Sequence, residues 1–123
     1  MVQRVILFLW MSACIVGAFL VAPSAKTLGD LSRIIYFHVP VAWVAVLAFL
    51  WSMVQSILYL RNGREANDVA AEAAARIGLV FSVLATLTGM VFAKVTWGAY
   101  WNWDPRETSI FVLLLIYLAY FAL

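Results

Sequence analysis

One short segment, residues 97–108, concentrates the side chains that could bind a ligand. It reads WGAYWNWDPRET and holds three Trp and one Tyr within seven residues, followed by Asp104, Arg106 and Glu107. Indole rings offer flat apolar faces for stacking, and the guanidinium of Arg106 offers a planar fork of donors that matches a carboxylate. This Trp-rich segment therefore suits a flat amphipathic ligand that carries carboxylate groups.

The acidic residues of the Trp-rich segment have a second, structural interpretation. Asp104 suits the N-cap of a helix, Pro105 its first position and Glu107 the third position of a capping box. Capping and ligand contact both remain open for the two carboxylates. Arg106 has no comparable role at a helix start, so its presence favours a ligand.

Several ligands fit this chemistry. Haem fits because indoles can stack on the macrocycle while a cation holds a propionate, but quinones and lipids fit as well. A ligand-free alternative is an interfacial aromatic belt, in which Trp and Tyr lie at the headgroup level of a bilayer. A belt needs only scattered aromatic residues, so the tight cluster beside Gly98 favours a binding site.

His38 is the only histidine of the chain and lies in the run YFHVP, residues 36–40. Pro40 suits the first turn of a helix and pushes Val39 toward extended geometry. We therefore expect His38 just outside the second of four predicted membrane helices, which are described below. It would then lie at the same membrane face as the Trp-rich segment. A neutral imidazole there could ligate haem iron, or it could be a polar interfacial contact.

The rest of the chain indicates an all-α, polytopic membrane helix bundle that forms a single domain. Hydrophobic residues make up 67% of its 123 residues and charged residues 11%, which a soluble domain of this size could not bury. Four apolar segments predict transmembrane helices at residues 5–22, 41–60, 77–93 and 109–123. Residues 94–108 are then expected to form an external loop. A spanning helix needs about 20 residues, so the short fourth segment predicts that the chain ends inside a membrane-spanning helix.

Two of these segments carry a polar or small-residue face that we expect to pack helix against helix. Small residues on one stripe let neighbouring helices approach closely in a membrane. On the third segment the stripe consists of Gly78, Ser82, Ala85, Thr86, Gly89 and Ala93, and on the second it consists of Ser52, Gln55 and Ser56.

Charge and cysteine content exclude several classes of function. The net charge is only +2 and the basic residues are scattered, so no nucleic-acid partner is expected. The one cysteine, Cys14, permits neither an internal disulfide nor a Cys-x-x-Cys-His haem attachment. The basic residues divide four against four between the two sides of the membrane, so charge counting alone leaves the topology open.

Two motifs together resemble a known family. The pattern Trp97-Gly98-x-x-Trp101-x-Trp103-Asp104, followed by Arg106, resembles the tryptophan-rich WWD signature of the cytochrome c assembly family. The run from Tyr36 to Pro40 resembles the corresponding segment of its haem exporter protein C (CcmC) branch. The two motifs and the helices between them cover most of the chain.

The resemblance implies a six-helix protein of the bacterial plasma (inner) membrane, with its Trp-rich loop facing the periplasm or outside. Such a protein holds haem b and delivers it to a periplasmic haem chaperone during cytochrome c maturation. The implied partners are this chaperone, the ABC transporter subunits of the maturation system, a small membrane accessory subunit and the lipid bilayer. The expected role is carriage and transfer of haem rather than catalysis.

The resemblance also assigns roles to individual residues. It makes His38 an axial ligand of the haem iron and gives haem contacts to Trp97, Gly98, Tyr100, Trp101, Trp103, Asp104 and Arg106. The family takes its second axial histidine from a later outer loop, which this chain does not contain. We therefore expect the 123-residue chain to bind haem weakly or not at all by itself.

Three alternatives stay open at this point. Within the superfamily, the chain could be a subunit of a cytochrome c haem lyase, which forms thioether bonds. Outside it, the chain could be a non-catalytic membrane scaffold whose aromatic residues form only an interfacial belt. A quinone-binding subunit is a third alternative, although no second site supports it.

Overall fold

Helices and their connections make up the whole of the computed structural model, which describes residues 1–123. The α-helices are α1 (Val2–Leu20), α2 (Ile35–Asn62), α3 (Glu65–Trp97) and α4 (Pro105–Ala122). A short 3-10 helix, Asp30–Ile34, leads directly into α2. The all-α fold class is therefore confirmed, and each of the four predicted spans falls mainly on one α-helix.

All four α-helices are long and apolar enough to cross a membrane. α2 has 28 residues and α3 has 33, which correspond to about 42 and 50 Å at 1.5 Å per residue. The hydrocarbon core of a bilayer is only about 30 Å thick. The polar part of the excess lies around the α2–α3 turn, where Arg61, Arg64 and Glu65 follow one another closely, so we expect this turn to project into water.

α2 and α3 pack against each other as an antiparallel hairpin, and the buried residues of the α-helices lie on these two alone. They are mostly small: Ala45, Ser52 and Gln55 on α2, and Ala71, Ala74, Ala75, Gly78, Ser82, Ala85 and Ala93 on α3. The buried hydroxyl of Ser52 donates to the carbonyl of Ala71 at 2.8 Å. The predicted packing stripe is confirmed for most of its members, but Ser56 is exposed and does not belong to the interface.

The start of α2 differs from the sequence-based prediction. His38 does not lie outside the helix: α2 begins at Ile35, directly after the 3-10 helix, and Pro40 is inside it. The helix tolerates Pro40 because only one backbone donor is lost, close to the helix start. His38 is therefore one turn before Ala42 and two turns before buried Ala45, a spacing that places all three on one helical face.

The predicted external loop, residues 94–108, is shorter in the structure. α3 continues to Trp97 and α4 begins at Pro105, so only residues 98–104 lie outside the helices. We call these residues the connecting loop. It lies at the same end of the α2–α3 hairpin as His38, because the start of α2 and the end of α3 are neighbours.

The side chain of Phe49, on α2, contacts both α3 and α4. The ring of Phe49 lies so close over Gly78 that a Cβ added there would be 2.5 Å from its Cε1 atom. On its other side Phe49 stacks on Tyr117, with 4.1 Å between ring centroids and 22° between planes. The ring thus contacts both α3 and α4.

α1 is attached mainly through its last turn. The guanidinium of Arg33, which follows α1 in the chain, donates from Nη1 to the carbonyls of Ala18 at 2.6 Å and Ala22 at 2.9 Å. Phe19 also meets Phe37 of α2, with ring centroids 5.8 Å apart. Arg33 therefore satisfies carbonyls that the end of α1 would otherwise leave without partners.

We predict that Gly78→Ala destabilises the bundle, because the new methyl group would displace a ring that Tyr117 prevents from swinging away. Overpacking of this kind lowers the free energy of unfolding by about 1–3 kcal/mol, measurable in detergent by thermal or denaturant unfolding. Gly17→Ala is the matched control, because a Cβ at Gly17 meets nothing within 4 Å. Equal effects of the two substitutions would contradict the prediction.

Candidate functional site

Gly98 ends α3 and turns the chain into the connecting loop. It is the C-cap of α3 with φ 83°, a left-handed conformation that a residue with a Cβ adopts only with strain. Its N–H donates to the carbonyl of Lys94 at 3.1 Å, and the Lys94 ammonium donates to the Gly98 carbonyl at 2.8 Å. Gly98 is thus needed for the direction of the chain.

The start of α4 is capped as the sequence predicts. The carboxylate of Asp104 accepts hydrogen bonds from the backbone N–H of Arg106 at 2.8 Å and of Glu107 at 3.0 Å. Pro105 occupies the first helical position. Glu107 differs from a standard capping box, because its carboxylate accepts from the backbone N–H of Asn102, two residues before the N-cap. Glu107 therefore closes the connecting loop onto α4.

Trp103 adopts a backbone conformation that the sequence does not reveal. Its φ is 57°, and it is the only non-glycine residue of the chain with positive φ. Such a conformation is strained for a bulky side chain and persists only where the surroundings hold it. The hydroxyl of Thr108 donates to the Trp103 carbonyl at 3.2 Å, and the ring packs edge-on against Trp101 and Phe111 at 5.4 and 5.7 Å.

Arg106 has local partners that the sequence analysis did not anticipate. Its Nη2 atom is 2.6 Å from Oδ2 of Asp104, and its guanidinium carbon lies 4.9 Å from the ring centroid of Trp97, a cation–π contact. The expectation that the helix start has no need for this arginine was therefore wrong. The Asp104 ion pair uses one edge of the guanidinium, which leaves other N–H donors of the fork for a ligand.

The hydrogen bonds at the start of α4 also change the ionisation of Asp104. The Arg106 guanidinium, with a smaller contribution from the Glu107 N–H, holds the pKa of the Asp104 carboxyl below its usual range. Asp104 is therefore ionised at neutral pH. The positive end of the α4 dipole, at which Asp104 lies, also favours its negative charge.

α2, α3 and α4 enclose a cavity at this end of the bundle, which we call the central cavity. Its volume is about 450 Å³ and most of its lining is apolar. The chemically informative residues of its lining are His38 from α2, Thr86 and Gly89 from α3, Trp97 and Trp101 from the Trp-rich segment, and Asp104, Arg106 and Glu107 from the start of α4. The helices thus bring the two sequence motifs, 60 residues apart, to one site.

His38 is held against α3 rather than exposed to solvent. Its Nδ1 atom is 2.9 Å from the hydroxyl oxygen of Thr88. The imidazole also lies close to Gly89, where an added Cβ would be 3.1 Å from Cε1. The ring borders the central cavity and a second, shallower groove along α2 that includes Trp43 and Val46.

Not every residue predicted for the site reaches the central cavity. Gly98, Tyr100 and Trp103 are absent from its lining, whereas Trp97, Trp101, Asp104 and Arg106 belong to it. Tyr100 is exposed and covered on one side by the Lys94 ammonium, 5.4 Å from its ring centroid. Gly98 and Trp103 instead shape the connecting loop.

Trp101 is the aromatic residue that the loop presents most closely to the protein interior. Its indole Nε1 atom is fully buried and has no hydrogen-bond partner within the chain. Buried donors without a partner are rare in folded proteins. Trp101 thus contributes its indole ring to the cavity lining, while its N–H is buried away from solvent.

Helix packing was the role predicted for the small-residue stripe of α3, but four of its six residues also border the cavity. Gly78 and Ser82 pack inside the bundle, but Ala85, Thr86, Gly89 and Ala93 also line the central cavity. Thr88 was missed altogether. The only signal was its position next to Gly89, and nothing in the sequence relates that position to His38, 50 residues earlier.

Comparisons with known proteins agree on one family. The family model described as heme exporter protein C, CcmC, matches residues 1–123. The heme exporter protein C of Rhodobacter capsulatus is 38% identical over 109 residues, covering 89% of this chain and 45% of the relative. That of Paracoccus denitrificans is 40% identical over 95 residues, covering 77% and 39%.

A mitochondrial protein is similar to the same extent. The cytochrome c biosynthesis ccmC-like protein of Marchantia polymorpha is 39% identical over 98 residues, covering 80% of this chain and 43% of the relative. The chain thus spans less than half of the length of these curated relatives.

We predict that substitutions of Asp104 separate its capping role from its ion pair. Asp104→Asn keeps an N-cap acceptor but loses the charge that faces Arg106, whereas Asp104→Ala loses both. The melting temperature in detergent at neutral pH should therefore fall from wild type to Asp104→Asn and fall further in Asp104→Ala.

The same variants should respond to acid. Because the pKa of Asp104 is lowered from 3.8, its ionic contribution is present above that value and is lost as pH falls through the folded-state pKa. The gap between wild type and Asp104→Asn should close there. A gap that persists unchanged in acid would show that the ion pair with Arg106 contributes nothing to stability.

Proposed function

This chain belongs to the haem exporter protein C (CcmC) family, and on that premise we propose that it holds haem b in the central cavity and presents it for transfer during cytochrome c maturation. The chain is a multi-pass membrane protein, with four helices suited to crossing a bilayer. The observation that carries the proposal is the meeting of His38, Trp97, Trp101 and Arg106 at one cavity.

The residues present fit haem in three respects. His38 offers an imidazole at the edge of the cavity, a common protein ligand of haem iron. Indole and aliphatic side chains supply apolar walls for a macrocycle, while the guanidinium of Arg106 can meet propionate oxygens. Haem supplies the iron and the flat conjugated ring, and the chain supplies ligation, stacking and charge.

The charges around the cavity suit a carrier that must release what it binds. Arg106 is already paired with Asp104, and Glu107 brings a second carboxylate to the same lining. A propionate therefore competes with Asp104 for the guanidinium and meets negative charge nearby. This arrangement gives orientation without strong retention, as transfer to an acceptor requires.

We propose the remaining parts of the function from the family. The Trp-rich segment would face the periplasm or outside of a bacterial inner membrane, where a periplasmic haem chaperone would accept the haem. The ABC transporter subunits of the maturation system and a small membrane accessory subunit would be its membrane partners. In this proposal the chain is a haem carrier rather than an enzyme.

We predict that the purified chain forms a ferrous haem–CO complex with a histidine opposite CO. Without CO we expect weak binding, because the chain has only one histidine. CO supplies the sixth ligand, so this complex needs only one axial residue from the chain. The optical spectrum of wild type should show histidine ligation, and His38→Ala should lose that spectrum and regain it when imidazole is added. Persistence of the same spectrum in His38→Ala without imidazole would exclude His38 as the ligand.

The same titration tests the aromatic wall. Trp101→Ala should weaken haem binding, whereas Trp51→Ala should not, because Trp51 is an exposed residue of α2 outside the cavity lining. Absence of any haem complex in wild type and variants, with correct helical structure by circular dichroism, would favour the alternative of a membrane scaffold with an aromatic belt.

We predict a specific role of Arg106 in binding propionate. Arg106→Gln should raise the dissociation constant for haem roughly threefold to tenfold, a modest change because exposed ion pairs are weak. Haem dimethyl ester, which lacks carboxylates, should bind equally to wild type and Arg106→Gln. If the substitution weakened both compounds to the same extent, Arg106 would act through the structure of the loop instead.

A further inference from the structure

The hydrogen bond between His38 and Thr88 joins α2 to α3 at the rim of the central cavity. Nδ1 of His38 lies 2.9 Å from Oγ1 of Thr88, and it is the only side-chain hydrogen bond that the imidazole makes within the chain. Either group could donate in principle, because both an imidazole nitrogen and a hydroxyl can carry the proton. The surroundings of Thr88 decide between the two.

The hydroxyl proton of Thr88 is already committed to its own helix. Oγ1 lies 2.8 Å from the carbonyl oxygen of Leu84 and 3.1 Å from that of Ala85. Carbonyl oxygens only accept, so an oxygen–oxygen separation this short requires a proton between the atoms. Thr88 has one proton, and it therefore faces the carbonyls and leaves a lone pair toward His38.

His38 must then donate from Nδ1. A neutral imidazole carries a single N–H, so Nε2 keeps its lone pair. Nε2 has no hydrogen-bond partner within the chain, and the ring borders the central cavity. A free histidine side chain in water favours the opposite tautomer, with the proton on Nε2, which cannot coordinate a metal through that atom.

The packing of α3 fixes the ring as well as the tautomer. The imidazole lies against Gly89, where an added Cβ would be 3.1 Å from Cε1 and 3.6 Å from Nδ1. A larger residue at that position would push the ring off α3 and away from Thr88. Gly89 therefore permits the close approach that the hydrogen bond requires.

We propose that Thr88 is a positioning residue that holds His38 as the Nδ1–H tautomer and so leaves Nε2 free to ligate a metal in the central cavity. Metal-ligating histidines depend on such a second hydrogen bond for their orientation and basicity. The tautomer assignment stands on the contacts within the chain. Its consequence for haem rests on the proposed function.

The first test needs no haem. His38 is the only histidine, so an untagged chain labelled with ¹⁵N-histidine gives signals from one imidazole, and the nitrogen that carries the proton is distinguished by its chemical shift. The spectrum is taken at a pH where further base no longer changes it. Wild type should show a protonated Nδ1 and an unprotonated Nε2, and Thr88→Val should shift the proton toward Nε2.

Two further variants control this experiment. Thr88→Ser keeps a hydroxyl and should restore the wild-type pattern. Thr96→Val removes a hydroxyl that bonds only to the carbonyl of Phe92, one turn back on the same helix, and should change nothing. Protonated Nε2 in wild type, or identical patterns in wild type and Thr88→Val, would overturn the tautomer assignment.

The second test uses haem as the probe. Loss of a hydrogen bond behind a metal-bound histidine weakens metal affinity by about tenfold or more, so Thr88→Val should bind ferrous haem correspondingly less tightly. Its iron–histidine stretching frequency in the resonance Raman spectrum should also fall, and Thr88→Ser should restore both values.

The outcomes separate this inference from the proposed function. If wild type binds no haem while the ¹⁵N spectrum shows the predicted tautomer, the proposed function fails and the positioning of His38 stands. If wild type binds haem through His38 but Thr88→Val matches it in affinity and stretching frequency, the role of Thr88 fails and the proposed function stands.

Discussion

The close approach of α2 and α3 through small side chains places His38 against α3 and so forms one side of the central cavity. Alanine, glycine and serine occupy most of the interface, so the two backbones can come near enough for His38 to meet Thr88 and Gly89. In a membrane, where lipid tails are as apolar as leucine, such packing and a few buried hydrogen bonds drive helix association. The bond from Ser52 to Ala71 contributes one of them.

The small number of buried residues has a physical explanation in the same terms. Only 11 of 123 residues are buried within the chain, and α1 and α4 contribute none of them. In water, such an exposed apolar surface would be strongly unfavourable, but lipid solvates it without loss. Close packing is therefore concentrated between α2 and α3. Arg33 attaches α1, and the Phe49–Tyr117 stack attaches α4.

The start of α4 has a structural role, and in the proposed function it also has a binding role. Asp104 caps the helix and also pairs with Arg106, so the residue that organises the loop competes with any carboxylate ligand for the same guanidinium. The left-handed backbone of Trp103 turns the connecting loop, and the hydrogen bond from the Asn102 N–H to the Glu107 carboxylate closes the loop onto α4, with Trp101 in the cavity lining. In the proposed function, such a cavity would orient a ligand while limiting the free energy of binding, which would suit transfer more than storage.

The sequence by itself determined the membrane helices, the cap at Asp104 and the position of the Trp-rich segment between two helices. These properties are local: the length of an apolar run, or an Asp-Pro pair at a helix start. Only the tertiary structure decided that His38 lies within α2 and faces Thr88, and that Trp101 but not Trp103 or Tyr100 lines the cavity. Such contacts depend on the depth and rotation of one helix against another, and residues 50 positions apart carry no local pattern that relates them.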